Sequence, residues 1–340
     1  MPISVNNKEI VAINCEGREI VRAHAGLSLV FSKNQLPDYN GMDISSIADL
    51  VMFRDLINTG TCIWNGASTN TYKGNPIATA GLGSTWYVTA DIDMSAVCSP
   101  SLGSWVPIGN SSRQFSGTIQ GLGHSISNLY ISNTTTYQAL FGYCTGVAFY
   151  DLNVLNVNVS AGNYAAGFIA NMTSNSGRLN LIIKNCSVSG NVTGTGYIGG
   201  FVSNLVAGTT NTICEIENCT NYCNITSTNS NQIGGILGYY QINTICASLY
   251  FRNNYNYGTI SAINGYAGGL IGYYNGGVST VPTGYYTISN CVNYGNLIAN
   301  GSTKGGIVGY SSISGSVARL TFNLCVNEGA VHGGIYGDIS

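Results

Sequence analysis

From about Ala139 to Ile339 the chain repeats one pattern of apolar and polar positions about every 34 residues. Counted from the Cys of a recurring Asn-Cys pair, position −3 holds Ile183, Ile216, Phe251, Ile288 and Phe322. Position −2 holds Lys184, Glu217, Arg252, Ser289 and Asn323, and position +6 holds Val192, Ile225, Ile260, Leu297 and Val331. Inward apolar positions alternating with outward polar ones predict strands. Two signatures punctuate the unit. Gly-Gly before apolar residues stands at Gly199-Gly200-Phe201, Gly234-Gly235-Ile236, Gly268-Gly269-Leu270, Gly305-Gly306-Ile307 and Gly333-Gly334-Ile335, with weaker copies at Ala139-Leu140-Phe141-Gly142 and Ala166-Gly167-Phe168. Asn-Cys stands at Asn185-Cys186, Asn218-Cys219 and Asn290-Cys291, with Asn253-Asn254 and Leu324-Cys325 as variants. A Gly at position +4 (Gly190, Gly258, Gly295, Gly329, with Cys223 as the exception) marks a corner that needs positive φ or a close approach of coils.

A unit of this length cannot bury its own apolar residues, so the pattern predicts an all-β solenoid of stacked coils. Each coil is expected to contain the Gly-Gly strand, the strand ending at Asn-Cys and a short strand after the corner Gly. In that phase Asn185, Asn218, Asn253 and Asn290 turn inward as a buried amide row, and Cys186, Cys219, Cys291 and Cys325 pack as small hydrophobes. A metal or disulfide ladder competes, but one thiol per coil with no nearby His does not make a tetrahedral site. These residues are read as structural, and no metal or cofactor is expected.

Toward the N-terminus, Lys8–Ile13 and Arg18–Val21 flank a Glu16-Gly17 turn and predict a hairpin, with a third strand over Leu27–Phe31. Residues 1–35 form an N-terminal β anchoring module, 36–84 a linker, helix and loop, and 85–340 the solenoid. Ser45 or Ser46 caps a helix over Ile47–Asn58, Gly60 stops it, and its apolar side (Ile47, Leu50, Val51, Leu56) suits it to cover the first coil. Residues 61–84 are expected to be an extended polar loop.

Only 8% of the 340 residues are charged and the net charge is −2, which argues against nucleic acid. Apolar residues make up 44%, so low charge does not mean disorder. Eleven Cys fit reduced thiols better than a secreted disulfide framework. No 18-residue apolar span predicts membrane insertion, and the N-terminus shows no signal peptide.

Asp91-Ile92-Asp93, Trp105-Val106-Pro107-Ile108-Gly109, Phe115-Ser116-Gly117-Thr118, Gly121-Leu122-Gly123-His124-Ser125-Ile126 and Asn128-Leu129 follow one another before Ala139. This series resembles the first coils of bacterial and phage surface proteins, and the Gly-Gly units resemble the GLUG-type repeat of that group. Gln120 departs from the Asp that often precedes this Gly. The resemblance covers about Ser45 to Ile339 and implies a right-handed parallel β-helix related in shape to pectin lyases. Ala25-Gly26-Leu27-Ser28-Leu29-Val30 resembles a short module of gut-bacteriophage structural proteins. Together these imply a non-enzymatic bacteriophage virion protein, a head or tail fibre or decoration assembled in the host cytoplasm. It would be a homotrimer, contact other virion proteins through residues 1–35 and attach to a host surface glycan. The alternatives are a bacterial surface adhesin and a polysaccharide-degrading tailspike enzyme.

The residues themselves offer few catalytic candidates. Glu217 sits between Lys184 and Arg252 of neighbouring coils, which reads first as an ion ladder, and Glu215 is its one possible carboxylate partner. Asp91 and Asp93 share a strand face and read first as turn ligands of backbone groups. His124 reads as a hydrogen-bonded corner residue; His24 and His332 have no partner the sequence can place. Two tyrosine rows are the binding candidates: Tyr222, Tyr257 and Tyr294 at position +3, beside Asn221, Asn256 and Asn293, and Tyr239, Tyr273 and Tyr310 after the Gly-Gly unit. Such rows grip glycan rings or a protein surface, stabilise the sheet, or lie in a subunit interface. The most variable segments all follow the Gly-Gly strand and predict one loop-bearing edge.

Overall fold

The computed structural model describes residues 13–15, 18–20, 39, 42–76, 84–174, 180–209, 211–243, 247–276, 286–300, 302–312 and 320–332. The chain divides into two compact units, Met1–Gly41 and Met42–Ser340. In the first, Ile13–Cys15 and Arg18–Ile20 pair antiparallel with Cys15 opposite Arg18, as expected for a hairpin around Glu16-Gly17. The expected strand over Leu27–Phe31 lies outside the described residues.

The second unit is a right-handed parallel β-solenoid. Its coils stack in register, so that Lys184, Glu217, Arg252 and Ser289 form one row. The −3 residues Ile183, Ile216, Phe251 and Ile288 and the +6 residues Val192, Ile225, Ile260 and Leu297 are fully buried, as their alternation predicts.

The repeat coils contribute strands to four sheets where the sequence suggests three. In one coil these are Ile198–Gly199, Val202–Ala207, Ile213–Glu217 and Thr220–Ser227. We refer to the sheets holding Ile213–Glu217, Thr220–Ser227, Val202–Ala207 and Ile198–Gly199 as the first, second, third and fourth. The extra run arises because Gly-Gly is not the middle of a strand. Gly199 ends a strand of the fourth sheet, Gly200 and Phe201 turn the corner, and Val202 begins a strand of the third. A Cβ on Gly200 would lie 2.2 Å from Asn221 Oδ1 and 2.3 Å from the Gly235 carbonyl oxygen. The corner is glycine because an interior amide and the next coil leave no room for a side chain.

The Asn-Cys pair also differs from expectation. Asn185, Asn218, Asn253 and Asn290 take left-handed φ values of 55°, 56°, 55° and 53° and turn the chain from the first sheet to the second. A short polar side chain tolerates this conformation, and it leaves Asn185, Asn218 and Asn290 exposed and Asn253 half-buried. They are not the buried amide row. Asn185 Nδ2 donates to Asp151 Oδ1 (2.9 Å) and Asn218 Nδ2 to Asn185 Oδ1 (3.0 Å) on the outside.

The interior row lies two residues beyond the Cys position. Asn221 Nδ2 donates to Asn256 Oδ1, Asn256 Nδ2 to Asn293 Oδ1 and Asn293 Nδ2 to Asn327 Oδ1, each at 2.7 Å. Each amide also donates to the carbonyl two residues on, Cys223, Gly258, Gly295 or Gly329, at 2.9–3.1 Å. Burial therefore strands none of these polar groups. The +4 glycines beside this row serve close approach. A Cβ on Gly258 would sit 1.8 Å from the Cys223 oxygen, and among Gly190, Gly258, Gly295 and Gly329 only Gly190 has positive φ. Cys186, Cys219 and Cys291 are buried as expected, Cys325 is half-buried, and Asn254 fills the Cys position of its coil by accepting from the Cys219 amide and donating to the Ile216 carbonyl. The described cysteines carry free thiols, and burial pushes those of Cys186 and Cys291 upward.

The helix spans Ile47–Thr59. Ser46 Oγ accepts from the Asp49 amide, and Gly60, at φ 85°, ends the helix by donating to the Leu56 carbonyl. Leu50, Phe53, Leu56 and Ile57 are buried, and the Phe53 ring lies 4.5 Å from Trp86 and 5.5 Å from Phe115. The helix thus covers the first coil's open interior, as its position predicts. The solenoid sheet begins earlier than Trp86, because Asp43–Ile44 already pairs with Thr85–Val88. Part of the expected polar loop is ordered as two hairpins, Cys62–Trp64 with Ala67–Thr69 and Thr71–Tyr72 with Asn75–Pro76. Tyr72 is buried there and its hydroxyl donates to the Asp43 carbonyl, which anchors the second hairpin beneath the helix.

Candidate functional site

The acidic candidates resolve into local networks. Lys184 Nζ lies 3.0 Å from Glu215 Oε2 and 3.4 Å from Glu217 Oε2, and Arg252 Nη2 binds both carboxylates from the other side. The ion ladder expected of Glu217 therefore includes Glu215. Asp91 Oδ1 accepts from the Ser125 amide (2.8 Å), Ser125 Oγ (3.1 Å) and His124 Nδ1 (3.4 Å). Asp93 Oδ1 accepts from Asn128 Nδ2 (2.8 Å) and the Ser95 amide (2.9 Å). These bonds hold both carboxyls below the usual aspartate range, Asp91 chiefly through Ser125 and Asp93 chiefly through Asn128. They act as turn fasteners. Among the described residues, no three His, Cys, Asp or Glu side chains gather in a way that could hold a metal ion. His332 is exposed and contributes its carbonyl to Lys304; His24 lies outside the described residues.

The two tyrosine rows have different geometries. Tyr222, Tyr257 and Tyr294 stack on the outside of the second sheet with centroids 5.1 and 4.7 Å apart and planes within 12°. They are 52%, 47% and 38% exposed, but each ring covers its neighbour's face, so edges and hydroxyls meet the solvent. Their neighbours Asn221, Asn256 and Asn293 are the buried row and are unavailable to a ligand. In this row the aromatic stack is chiefly a clamp between coils.

Tyr239, Tyr273 and Tyr310 stand in register on the third sheet. Their centroids are 5.2 and 5.3 Å apart, and their planes are tilted by 56° and 54°, which leaves part of each face open. The row is longer than the sequence reading gives it. Tyr197 continues it 5.0 Å from Tyr239, followed by Tyr164 at 4.8 Å, Tyr137 at 4.3 Å and Tyr143 at 4.4 Å. Tyr266, from the same coil as Tyr273, lies between Tyr273 at 5.1 Å and Tyr310 at 4.4 Å, its plane within 16° of Tyr310. All eight rings are half-buried or exposed.

Two positions of the coil supply this track. Tyr143, Tyr239, Tyr273 and Tyr310 come from the third sheet. Tyr137, Tyr164, Tyr197 and Tyr266 come from the position two residues before the Gly-Gly corner or its weaker Ala copies. Where the corner position holds Tyr164 or Tyr197, the third-sheet position holds Asn171 or Asn204, which bond each other at 2.7 Å and are buried. Where the corner position holds Gln232, the third sheet supplies Tyr239. The sequence signal was thus present as a Tyr recurring ahead of the corner. Asn275 Nδ2 donates to the Tyr239 hydroxyl at 2.8 Å and fixes that ring. Burial raises the phenols of Tyr164, Tyr197 and Tyr239 and pushes Tyr143 up to about 12, so all remain hydrogen-bond donors at neutral pH.

No protein-family profile matches the chain. No curated protein matches it either. Among solved structures, one described as a putative immunoglobulin A1 protease from Bacteroides ovatus aligns over 74% of this chain and 71% of its own, at 20% identity and a TM-score of 0.52. Another, described as IgA1 protease, aligns over 94% of this chain and 23% of its own, at 15% identity and a TM-score of 0.48. The likeness to the first is one of fold. It corrects the expectation of a non-enzymatic virion fibre, capsid or tail protein. The same solenoid is carried by a bacterial chain described as a protease, so neither a virion setting nor the absence of catalysis follows from the architecture.

Proposed function

We propose that this solenoid is a recognition surface of a bacterial surface or secreted protein and holds an extended ligand along the tyrosine track. The observation that carries the reading is the unbroken contact of eight accessible tyrosines, ring to ring, across the third and fourth sheets. A core does not need such a track, because the coil interior is already filled by Ile, Val, Leu and Phe. Tyr137–Tyr164, Tyr164–Tyr197 and Tyr266–Tyr310 are face-to-face stacks, but the tilted stretch from Tyr197 through Tyr239 to Tyr273 keeps aromatic faces partly open on a rigid sheet, which suits binding at low ordering cost. The reading matches the surface-adhesin alternative drawn from the sequence. It is tested by ligand capture with the wild type, Tyr239→Ala, Tyr273→Ala and the corresponding Phe variants. Loss in the Ala variants with retention in the Phe variants is expected. Capture that ignores all four substitutions would exclude the track.

A second reading, cleavage of a polymer on the first sheet rather than on the track, is favoured by Glu215 and Glu217 sharing both Lys184 and Arg252 there. Two carboxylates held together are the minimum for glycoside hydrolysis. Appearance of reducing ends that Glu215→Gln abolishes would establish it.

A further inference from the structure

The track's spacing narrows the class of ligand, and this step rests on the reading of the track as the recognition surface. Tyr197, Tyr239, Tyr273 and Tyr310 come from four successive coils at 5.0, 5.2 and 5.3 Å, and Tyr266 of the Tyr273 coil is set between the last two. An extended peptide laid along the solenoid axis repeats its same-face side chains roughly every 6.7 Å. It would slip about 1.5 Å per coil and lose phase within three rings. A polyproline II segment, rising about 3.1 Å per residue with three residues per turn, fits worse. A pyranose chain joined through two equatorial bonds is straight and advances one ring length per sugar, which matches one coil step. An axial linkage bends the chain away from the line of rings.

The ring faces point the same way. In a diequatorial chain alternate sugars are turned over, so both faces must present C–H groups. That requires all-equatorial substituents, as in glucose or N-acetylglucosamine. The tilts of 43° and 56° from Tyr197 through Tyr239 to Tyr273 leave faces on which such groups can stack, unlike the closed 12° stack of Tyr222, Tyr257 and Tyr294 and the 16° stack of Tyr266 on Tyr310. Beside the track, the row Gln241, Asn275 and Ser312 runs in register on the same face of the third sheet and is half-buried, within reach of equatorial hydroxyls.

Charge supplies a third constraint. Among the described strands of the third and fourth sheets, Lys304 is the one charged residue, and its Nζ turns inward to the carbonyls of Ala299 and His332. Among the described strands of these sheets a polyanionic chain would find no outward-facing cation. We infer that the track takes a neutral, diequatorially 1,4-linked glucan or N-acetylglucosamine backbone, running parallel to the solenoid axis with one sugar per coil.

The test is calorimetric titration of the full chain with cello- and chito-oligosaccharides of two to six sugars, with maltohexaose and with an extended neutral peptide. Affinity for one β-1,4 series is expected to rise with length up to about four sugars and then level, with maltohexaose about tenfold weaker or worse. Tyr273→Phe should keep that affinity and Tyr273→Ala should lower it about tenfold. Equal binding of maltohexaose, absence of length dependence, or no binding of either β-linked series overturns the ligand class. Peptide binding that Tyr273→Ala abolishes would overturn the glycan while leaving the track as the recognition surface. Glycan binding indifferent to Tyr273→Ala would overturn the track itself.

Discussion

Replacing Asn256 by Ala tests whether the interior amide row fastens the coils. Asn256 is fully buried and makes four hydrogen bonds: it accepts from Asn221 Nδ2 (2.7 Å) and the Gly258 amide (3.3 Å), and donates to Asn293 Oδ1 (2.7 Å) and the Gly258 carbonyl (2.9 Å). Truncation leaves Asn221 Nδ2 with its bond to the Cys223 carbonyl. Asn293 Oδ1, the Gly258 amide and the Gly258 carbonyl lose that partner. Three buried groups left unsatisfied cost about 1–3 kcal/mol each, so the variant should lose ~4 kcal/mol or more. Asn256→Asp is the sharper probe. It keeps the shape but sets a second acceptor against Asn293 Oδ1 and the Gly258 carbonyl, so it should be no more stable than the Ala variant. Asn218→Gly is the control, because Asn218 is exposed at φ 56° and glycine accepts that conformation; its effect should stay within about 1 kcal/mol. Guanidinium unfolding followed by far-ultraviolet circular dichroism measures the midpoints. Hydrogen exchange at residues 221–224 and 256–259 shows whether the loss is local, as expected for a solenoid held by nearest-neighbour contacts. If Asn256→Ala and Asn256→Asp unfold within about 0.5 kcal/mol of the wild type, the amide row is not a fastener and the reasoning fails.

Two further outcomes follow from packing and charge. Gly269→Ala would place its Cβ 1.9 Å from the Gly306 carbonyl oxygen, so it should cost ~3 kcal/mol or more; an unchanged unfolding midpoint would show that the corner can relax. Asp49 is held below its ordinary pKa of 3.8, since hydrogen bonds from Ser45 and Lys73 outweigh its burial. A depressed folded-state value contributes stability above the unfolded pKa and loses it as pH falls through the folded one. The stability gap between wild type and Asp49→Asn should therefore be full near neutrality and close below about pH 4; a gap independent of pH would assign the effect to packing.

The solenoid was legible because its period is written several times over. Ile183, Ile216, Phe251 and Ile288 recur at one phase, and stacking turns a weak local alternation into a repeated one. The phase of the corners was harder to read. Asn-Cys and Gly-Gly are both conspicuous, and conspicuous polar residues in an apolar repeat invite an interior assignment. The structure reverses the roles. Asn185 and Asn218 are outside because left-handed φ, rather than burial, selects them. Asn221, Asn256 and Asn293 look like surface residues beside tyrosines, yet they carry the interior bonds. The Gly-Gly corner is their counterpart: Gly200 and Gly269 are bare because the amides of Asn221 and Asn293 occupy the space a side chain would need.

The tyrosine track was half legible for a related reason. A repeat reading follows one position at a time, whereas the track passes between two. Asn171 and Asn204 interrupt the third-sheet row, and Tyr164 and Tyr197 restore it from the corner. In the next coil Gln232 stands at the corner and Tyr239 takes over. This exchange keeps the ring step across Tyr197 to Tyr239 to Tyr273, where the supplying position changes but the spacing stays at 5.0 and 5.2 Å. Constancy of spacing across a change of supplier is what a surface shaped for a regular polymer requires. It is also why Tyr197→Ala and Tyr239→Ala, at different positions of their coils, should weaken the same ligand to a similar degree.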